Sequence, residues 1–208
     1  SFVRFLDLQK AEAQAREARI EVALERVRAR TMAMHQSQEL REVVSVMYDE
    51  MEILGLAKWG CAIMIFHRKS TQIEFWLSEE TDANLTGNYF VKGKEHPVYR
   101  KLWNHWLKQG PPLTLHHRDA NKREFDEYWL NESDFKYLPD AVKKSVFDRN
   151  EVFMNYATMR YGMLNAISYE PIVEEMMAVL ARFAKVFEQT YTRFVDLQKA
   201  EEQAREAQ

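Results

Sequence analysis

The chain has 208 residues, 46% hydrophobic and 29% charged, which excludes disordered and collagen-like classes and suits one domain of about 150 residues with helical extensions. A formal net charge of −3 and a pI of about 6.1 exclude the basic footprint of a nucleic-acid binder. One cysteine, Cys61, excludes an intrachain disulfide and points to a reducing, cytoplasmic compartment; no apolar run reaches the ~18–20 residues of a bilayer span, and Ser1 opens into a charged helix instead of a signal peptide.

Residues 1–35 predict one long helix, free of Pro and Gly and rich in Ala, Glu, Gln, Arg and Leu. Ile20, Leu24, Val27, Thr31 and Met34 step by four and three as one apolar stripe. Upstream, Leu8, Ala11, Ala15, Ala18 and Val22 form a second stripe on a shifted frame. Ser37 suits the N-cap of a second helix, whose apolar face runs from Leu40 through Val43, Val44, Met47, Tyr48 and Met51 to Leu54 and stops at Gly55.

Residues 59–67 are apolar on both faces and predict a central buried strand. A polar turn at 68–71 leads to a partner strand at 72–78, where Ile73, Phe75 and Leu77 alternate with other side chains; Tyr89 to Val91 is a weaker strand. Pro97 opens a helix with the face Tyr99, Leu102, Trp103, Trp106 and Leu107, ended by Gly110. Leu113 and Leu115 suggest a short strand, and residues 119–147 read as broken helix, with the polar stretch Asp119 to Asp140 a candidate lid. Strands at 151–159 and 163–169 follow, joined by a tight turn, and Pro171 opens the last helix. There Val173, Leu180, Phe187 and Phe194 repeat by seven, beside Met176, Phe183, Thr190 and Leu197. This order predicts an α+β fold: an antiparallel sheet with helices on one side, flanked by long terminal coiled-coil helices. The divisions are a helix at 1–35, a sensor-type domain at 36–171 and a helix at 172–208.

The two ends repeat each other. Residues 4–18, RFLDLQKAEAQAREA, and 193–207, RFVDLQKAEEQAREA, agree at thirteen of fifteen positions, the exceptions being Leu6/Val195 and Ala13/Glu202. The offset that carries Arg4 onto Arg193 is a whole number of heptads, so a coiled-coil frame continues from one copy to the next. The pattern predicts a parallel homodimer through the terminal helices, with Ile20, Leu24, Val27, Phe187, Phe194 and Leu197 at the interface, and neighbouring repeats in the parent protein.

The phrases ALERVRARTMAMHQSQEL at 23–40, WGCAIMIFHRKSTQIEFWLSE at 59–79 and RFAKVFEQTYTRFVDLQKAEEQAREAQ at 182–208 resemble the GAF-like repeats of bacterial multi-domain sensor histidine kinases. The resemblance implies a GAF/PAS-like six-stranded antiparallel sheet, a parallel dimer, a downstream output domain and a pocket facing away from the dimer helices. It implies no particular ligand and no cofactor.

The residues themselves offer Trp76, Tyr89, His116, Phe153, Asn155 and Tyr156 as candidate lining of a small-molecule pocket. His35 lacks the following acidic residue and nearby Pro of a phosphoacceptor helix, so it reads as a solvated helix-end residue. Adjacent His116 and His117 would point to opposite faces of one strand and do not form a metal pair. Cys61, inside an apolar strand, reads as a small buried hydrophobe. No GxGxxG, P-loop, GxSxG or HExxH pattern and no catalytic constellation is present in the sequence, so a non-enzymatic module is expected. The competing expectations are a sensory or relay module and a ligand-free structural spacer.

Overall fold

A computed structural model describes residues 2–79 and 88–207; Ser1 and Gln208, the outermost residues of the two terminal segments, lie outside the description. Helix α1 (Phe2–Met32) and helix α2 (Leu40–Ile53) are joined by a 3-10 turn at Ser37–Glu39. Gln36, one residue before the expected Ser37, caps that turn. The Glu39 carboxylate accepts the backbone N–H groups of His35 (2.6 Å) and Gln36 (2.8 Å), which holds its pKa down to about 2. Past α2, Gly55 takes a positive φ of 78°, as a helix stop requires.

Strands β1 (Gly60–His67), β2 (Gln72–Glu79) and β3 (Asn88–Lys92) lead to helix α3 (Pro97–Leu107). Strand β4 (Leu113–Arg118), helix α4 (Asp119–Asn131), a 3-10 turn at Asp134–Tyr137 and helix α5 (Asp140–Phe147) follow. Strands β5 (Glu151–Met159) and β6 (Gly162–Ser168) and helix α6 (Glu174–Glu206) complete the chain. The strands form one antiparallel sheet in the order β3-β2-β1-β6-β5-β4. The β5–β6 turn depends on Gly162 (φ 156°), because a Cβ there would stand 1.9 Å from the Met64 carbonyl oxygen.

Alternation along the strands makes two cores. Cys61, Ile63, Ile65, Trp76, Ala157, Leu164 and Ala166 face α1, α2 and α6. Ala62, Met64, Phe66, Phe75, Leu77, Met154, Tyr156 and Ile167 face the segment 97–147. The terminal helices thus share one side of the sheet, as expected, and the insert adds a helical layer on the other. Helix α2 lies over β1 and β2, α6 over β5 and β6, and α1 packs along both helices.

Helices α1 and α6 run parallel. Arg16 meets Glu175 at 3.7 Å, the Arg182 guanidinium bonds Glu17 at 2.6 and 3.1 Å and also reaches Glu21, and Gln198 Nε2 donates to the His35 carbonyl at 3.0 Å. Partners advance together along both helices, so the chain enters at one end of the pair and leaves at the other.

This packing corrects five of the six expected dimer residues. Ile20, Leu24, Val27, Phe187 and Phe194 are buried inside their own chain, where they hold α1 and α6 to α2 and the sheet. A heptad stripe states that a surface is covered, and here the cover is intramolecular. Leu197 remains exposed, at 54%. Phe187→Ala should therefore lower unfolding free energy by about 3–5 kcal/mol, and Leu197→Ala should change the protomer by less than about 0.5 kcal/mol. Urea titration of dilute protein measures both.

Candidate functional site

The insert-side core contains a cavity of about 40 Å³, lined by side chains that include Trp59, Phe75, Tyr99, Trp129, Phe135 and Tyr156. Trp59 precedes β1, Tyr99 stands on α3, Trp129 on α4 and Tyr156 on β5. The 3-10 turn drives Phe135 into this wall. Its ring lies edge-on to Phe75 (5.2 Å) and Trp129 (4.8 Å) and stacks on Tyr89 (4.9 Å). Ser133 Oγ accepts the Phe135 N–H at 3.2 Å, and Asp134 Oδ2 accepts the Phe90 N–H at 3.0 Å, pinning the turn to β3. The expected lid is therefore a folded cover with an aromatic plug.

Two buried polar atoms on this wall, Trp59 Nε1 and Asn165 Oδ1, have no hydrogen-bond partner within the protein. One is a donor and the other an acceptor, so the cavity is chemically suited to a few water molecules or a very small polar solute. Tyr156 and Asn165 are direct cross-strand neighbours. Burial raises the Tyr99 and Tyr156 phenols above their ordinary range, so both stay neutral.

Of the six expected pocket residues, Tyr156 alone lines this cavity. Trp76 points to the opposite core, toward α2. Tyr89 is half-buried behind Phe135. Phe153 stacks on His116 at 4.2 Å, and His116 bonds Glu151. Asn155 is fully buried and satisfied: its amide donates to the Ala166 carbonyl (3.1 Å) and Ser168 Oγ (3.0 Å), and its oxygen accepts from Thr114 (2.8 Å). Phe153 and Asn155 share the odd parity of β5, whereas Val152, Met154 and Tyr156 face the insert. The residues missed, Trp59, Tyr99, Phe135 and Asn165, lie on four separate segments. Only Asn165, polar within an apolar strand, carried a local signal.

Beside the cavity, α4 buries an ion pair. Lys122 Nζ reaches Asp126 and donates to the Val146 carbonyl at 2.8 Å, while Trp129 Nε1 donates to Asp126 at 3.2 Å. Burial raises the Asp126 pKa, and the bonds from Lys122 and Trp129 oppose that rise. His117 is 7% exposed and stacks on Phe125 at 4.6 Å. Burial, reinforced by Lys122, His116, His96 and Lys101, lowers its pKa to about 4. Cys61 is buried and its thiol is pushed up by desolvation, so it stays unreactive. Among the described residues no group of three His, Cys, Asp or Glu is placed to hold a metal ion, and no helix is long and apolar enough to cross a membrane.

No family model matches this chain, and no curated protein matches it. Among solved structures, it is similar to the GAF domain from Acinetobacter phosphoenolpyruvate-protein phosphotransferase. That likeness has 14% sequence identity and a TM-score of 0.44, over 82% of this chain and 93% of that one.

The His117 environment has a measurable consequence. The unfolded chain takes up this proton near pH 6.5 and the folded chain only near 4, so stability falls as pH drops through that window and levels off below it. The loss due to His117 should be about 3 kcal/mol across the window. His117→Phe, which keeps the stack on Phe125, should flatten that slope in urea midpoints taken between pH 7 and 4.

Proposed function

We propose that this chain is a sensory or relay module of a bacterial signal-transduction protein, working as a parallel homodimer upstream of an output domain such as a histidine kinase. One observation carries the reading. The parallel pair α1–α6 is sealed onto the body only between about Arg16 of α1 and His35 just past its end on one side, and Glu175 and Gln198 of α6 on the other. Residues 2–15 of α1 project from one end of that pair and residues 199–206 of α6 from the other, each carrying part of the repeated sequence. An axial shift or rotation of α1 would pass to α6 through the shared core at Leu24, Val27, Phe183 and Phe187.

The dimer seam in this proposal is the stripe Leu8, Ala11, Ala15, Ala18 and Val22, every member of which is exposed, together with Leu197 in the repeated copy. The stripe faces away from the body, and its alanines allow close helix approach. A second reading, a ligand-free dimerisation spacer, is favoured by the small size of the cavity. A ligand that drives signalling must bind one helix packing better than the other, whereas a spacer binds nothing. A thermal-shift screen of small polar solutes separates the two.

The seam is tested by sedimentation. The chain should be dimeric, and the double variant Leu8→Asp, Ala15→Asp should be monomeric, with the unfolding midpoint that the parent chain shows when diluted to monomer. Spin labels at Arg4 should lie within about 20 Å across a parallel dimer and beyond about 30 Å in an antiparallel one, given about 1.5 Å of rise per residue. A chain that stays monomeric at high concentration would remove the dimer.

A further inference from the structure

Four large apolar side chains crowd the start of α1 and are exposed: Phe2 (74%), Val3 (65%), Phe5 (56%) and Leu6 (47%). They do not belong to the proposed dimer seam. On a straight helix of about 3.6 residues per turn, Phe2, Phe5, Leu6 and Gln9 centre roughly 150° around α1 from Leu8, Ala11, Ala15, Ala18 and Val22. A second chain lying along that seam leaves them uncovered.

The internal repeat shows what a surface of this kind covers. In the alignment that sets Arg4 on Arg193, Phe2, Val3, Phe5, Leu6 and Gln9 correspond to Tyr191, Thr192, Phe194, Val195 and Gln198. All five of those have a place in the body. Tyr191 stacks on Phe187 (5.1 Å) and Phe194 (5.8 Å) and meets Tyr161 edge-on (5.0 Å). Phe194 is buried at 6% exposure, and Val195 packs on the same core. Gln198 donates to the His35 carbonyl at the end of α1, and Thr192 exchanges a 2.9 Å hydrogen bond with the Tyr161 hydroxyl. The counterparts keep the ring at 191, the phenylalanine at 194, a branched aliphatic at 195 and the glutamine at 198. Two hydroxyls are lost: the Tyr191 phenol, where Phe2 keeps only the ring, and the Thr192 hydroxyl, replaced by the near-isosteric Val3.

We propose that the apolar start of α1 docks onto the body of a preceding copy of this fold, in the slot that Tyr191 to Gln198 fill here, so that tandem copies share one uninterrupted helix. The geometry of that array follows. Gln198 lies level with His35 of its own body. Along a shared helix, the His35 of the next copy falls roughly 26 positions beyond Gln198, so at about 1.5 Å of rise per position successive bodies advance by about 39 Å. The stretch of α6 buried in its own body, Met176 to Phe194, spans only about 28 Å, so neighbouring bodies do not compete for the same turns. The face of α1 that meets its own body (Ile20, Leu24, Val27 and Thr31) lies within about 20° of the Phe2–Phe5–Gln9 face. Successive bodies therefore stack on nearly one side of the helix, with the Leu8–Val22 seam on the other.

The inference shares the repeated helix with the proposed function but does not depend on the dimer, and its test is blind to dimerisation. A two-unit chain is made by joining Thr192 directly to Arg4 of a second copy, with Ala29→Cys spin-labelled in both copies and an excess of unlabelled chain present. A single narrow distance of about 40 Å is expected, the advance set by the helical rise. A broad distribution, or a distance under about 30 Å, which is shorter than that rise allows, would overturn the shared helix. In the same two-unit chain, Phe5→Asp in the second copy should lower the melting temperature of the first body, while Phe5→Asp in the first copy should leave it unchanged. Equal effects of the two substitutions would overturn the docking.

Discussion

The parallel contact between α1 and α6 is the constraint on which the rest of the molecule depends. Helix α6 has an apolar face too wide for the sheet alone: Met176, Val179, Leu180, Phe183, Ala184, Val186, Phe187, Thr190 and Phe194 are all buried. Part of that face meets β5 and β6, and the remainder needs a second cover. Helix α1 supplies it through Ile20, Ala23, Leu24 and Val27, and α2 closes the third side. The exposed ion pairs along this seam, Arg182 with Glu17 and Glu21 and Arg16 with Glu175, fix register more than they add stability. Because the pair is parallel, the two free ends point in opposite directions, and a body with this design extends naturally in both.

The sheet separates two chemistries. Its helix side is a continuous apolar core that couples the terminal helices. Its insert side is an aromatic wall closed by Phe135, with a cavity large enough for a few waters and two unpartnered polar atoms, Trp59 Nε1 and Asn165 Oδ1. Strands that are apolar on both faces are what such a division requires. Cys61, Ile63 and Ile65 serve one side, and Ala62, Met64 and Phe66 the other.

The elements themselves were legible because each carried its own period. The apolar run at 59–67, the alternation at 72–78 and the punctuation by Gly55, Pro97 and Gly110 all set boundaries within a few residues of those observed. What covers a stripe was not legible. Leu180, Phe187 and Phe194 repeat by seven, as in a coiled coil, yet their partner is α1 of the same chain. The shifted stripe from Leu8 to Val22, which looked like a frame irregularity, is the one left open. The cavity is hidden in the sequence for a related reason: Phe153 and Asn155 stand close to Tyr156 along β5, but a strand sends neighbours to opposite faces. The wall is assembled from Trp59, Tyr99 and the pair Trp129 and Phe135, three stretches far apart in sequence that only the tertiary fold brings together.

The most direct measurement is amide hydrogen exchange on dilute, monomeric chain. If α1 and α6 seal each other within the protomer, amides of residues 20–31 and 176–194 should exchange near the rate set by global unfolding, and those of 2–15 and 200–207 should exchange far faster. Fast exchange at 20–31 in the monomer, with protection gained only on dimerisation, would contradict an intramolecular helix pair.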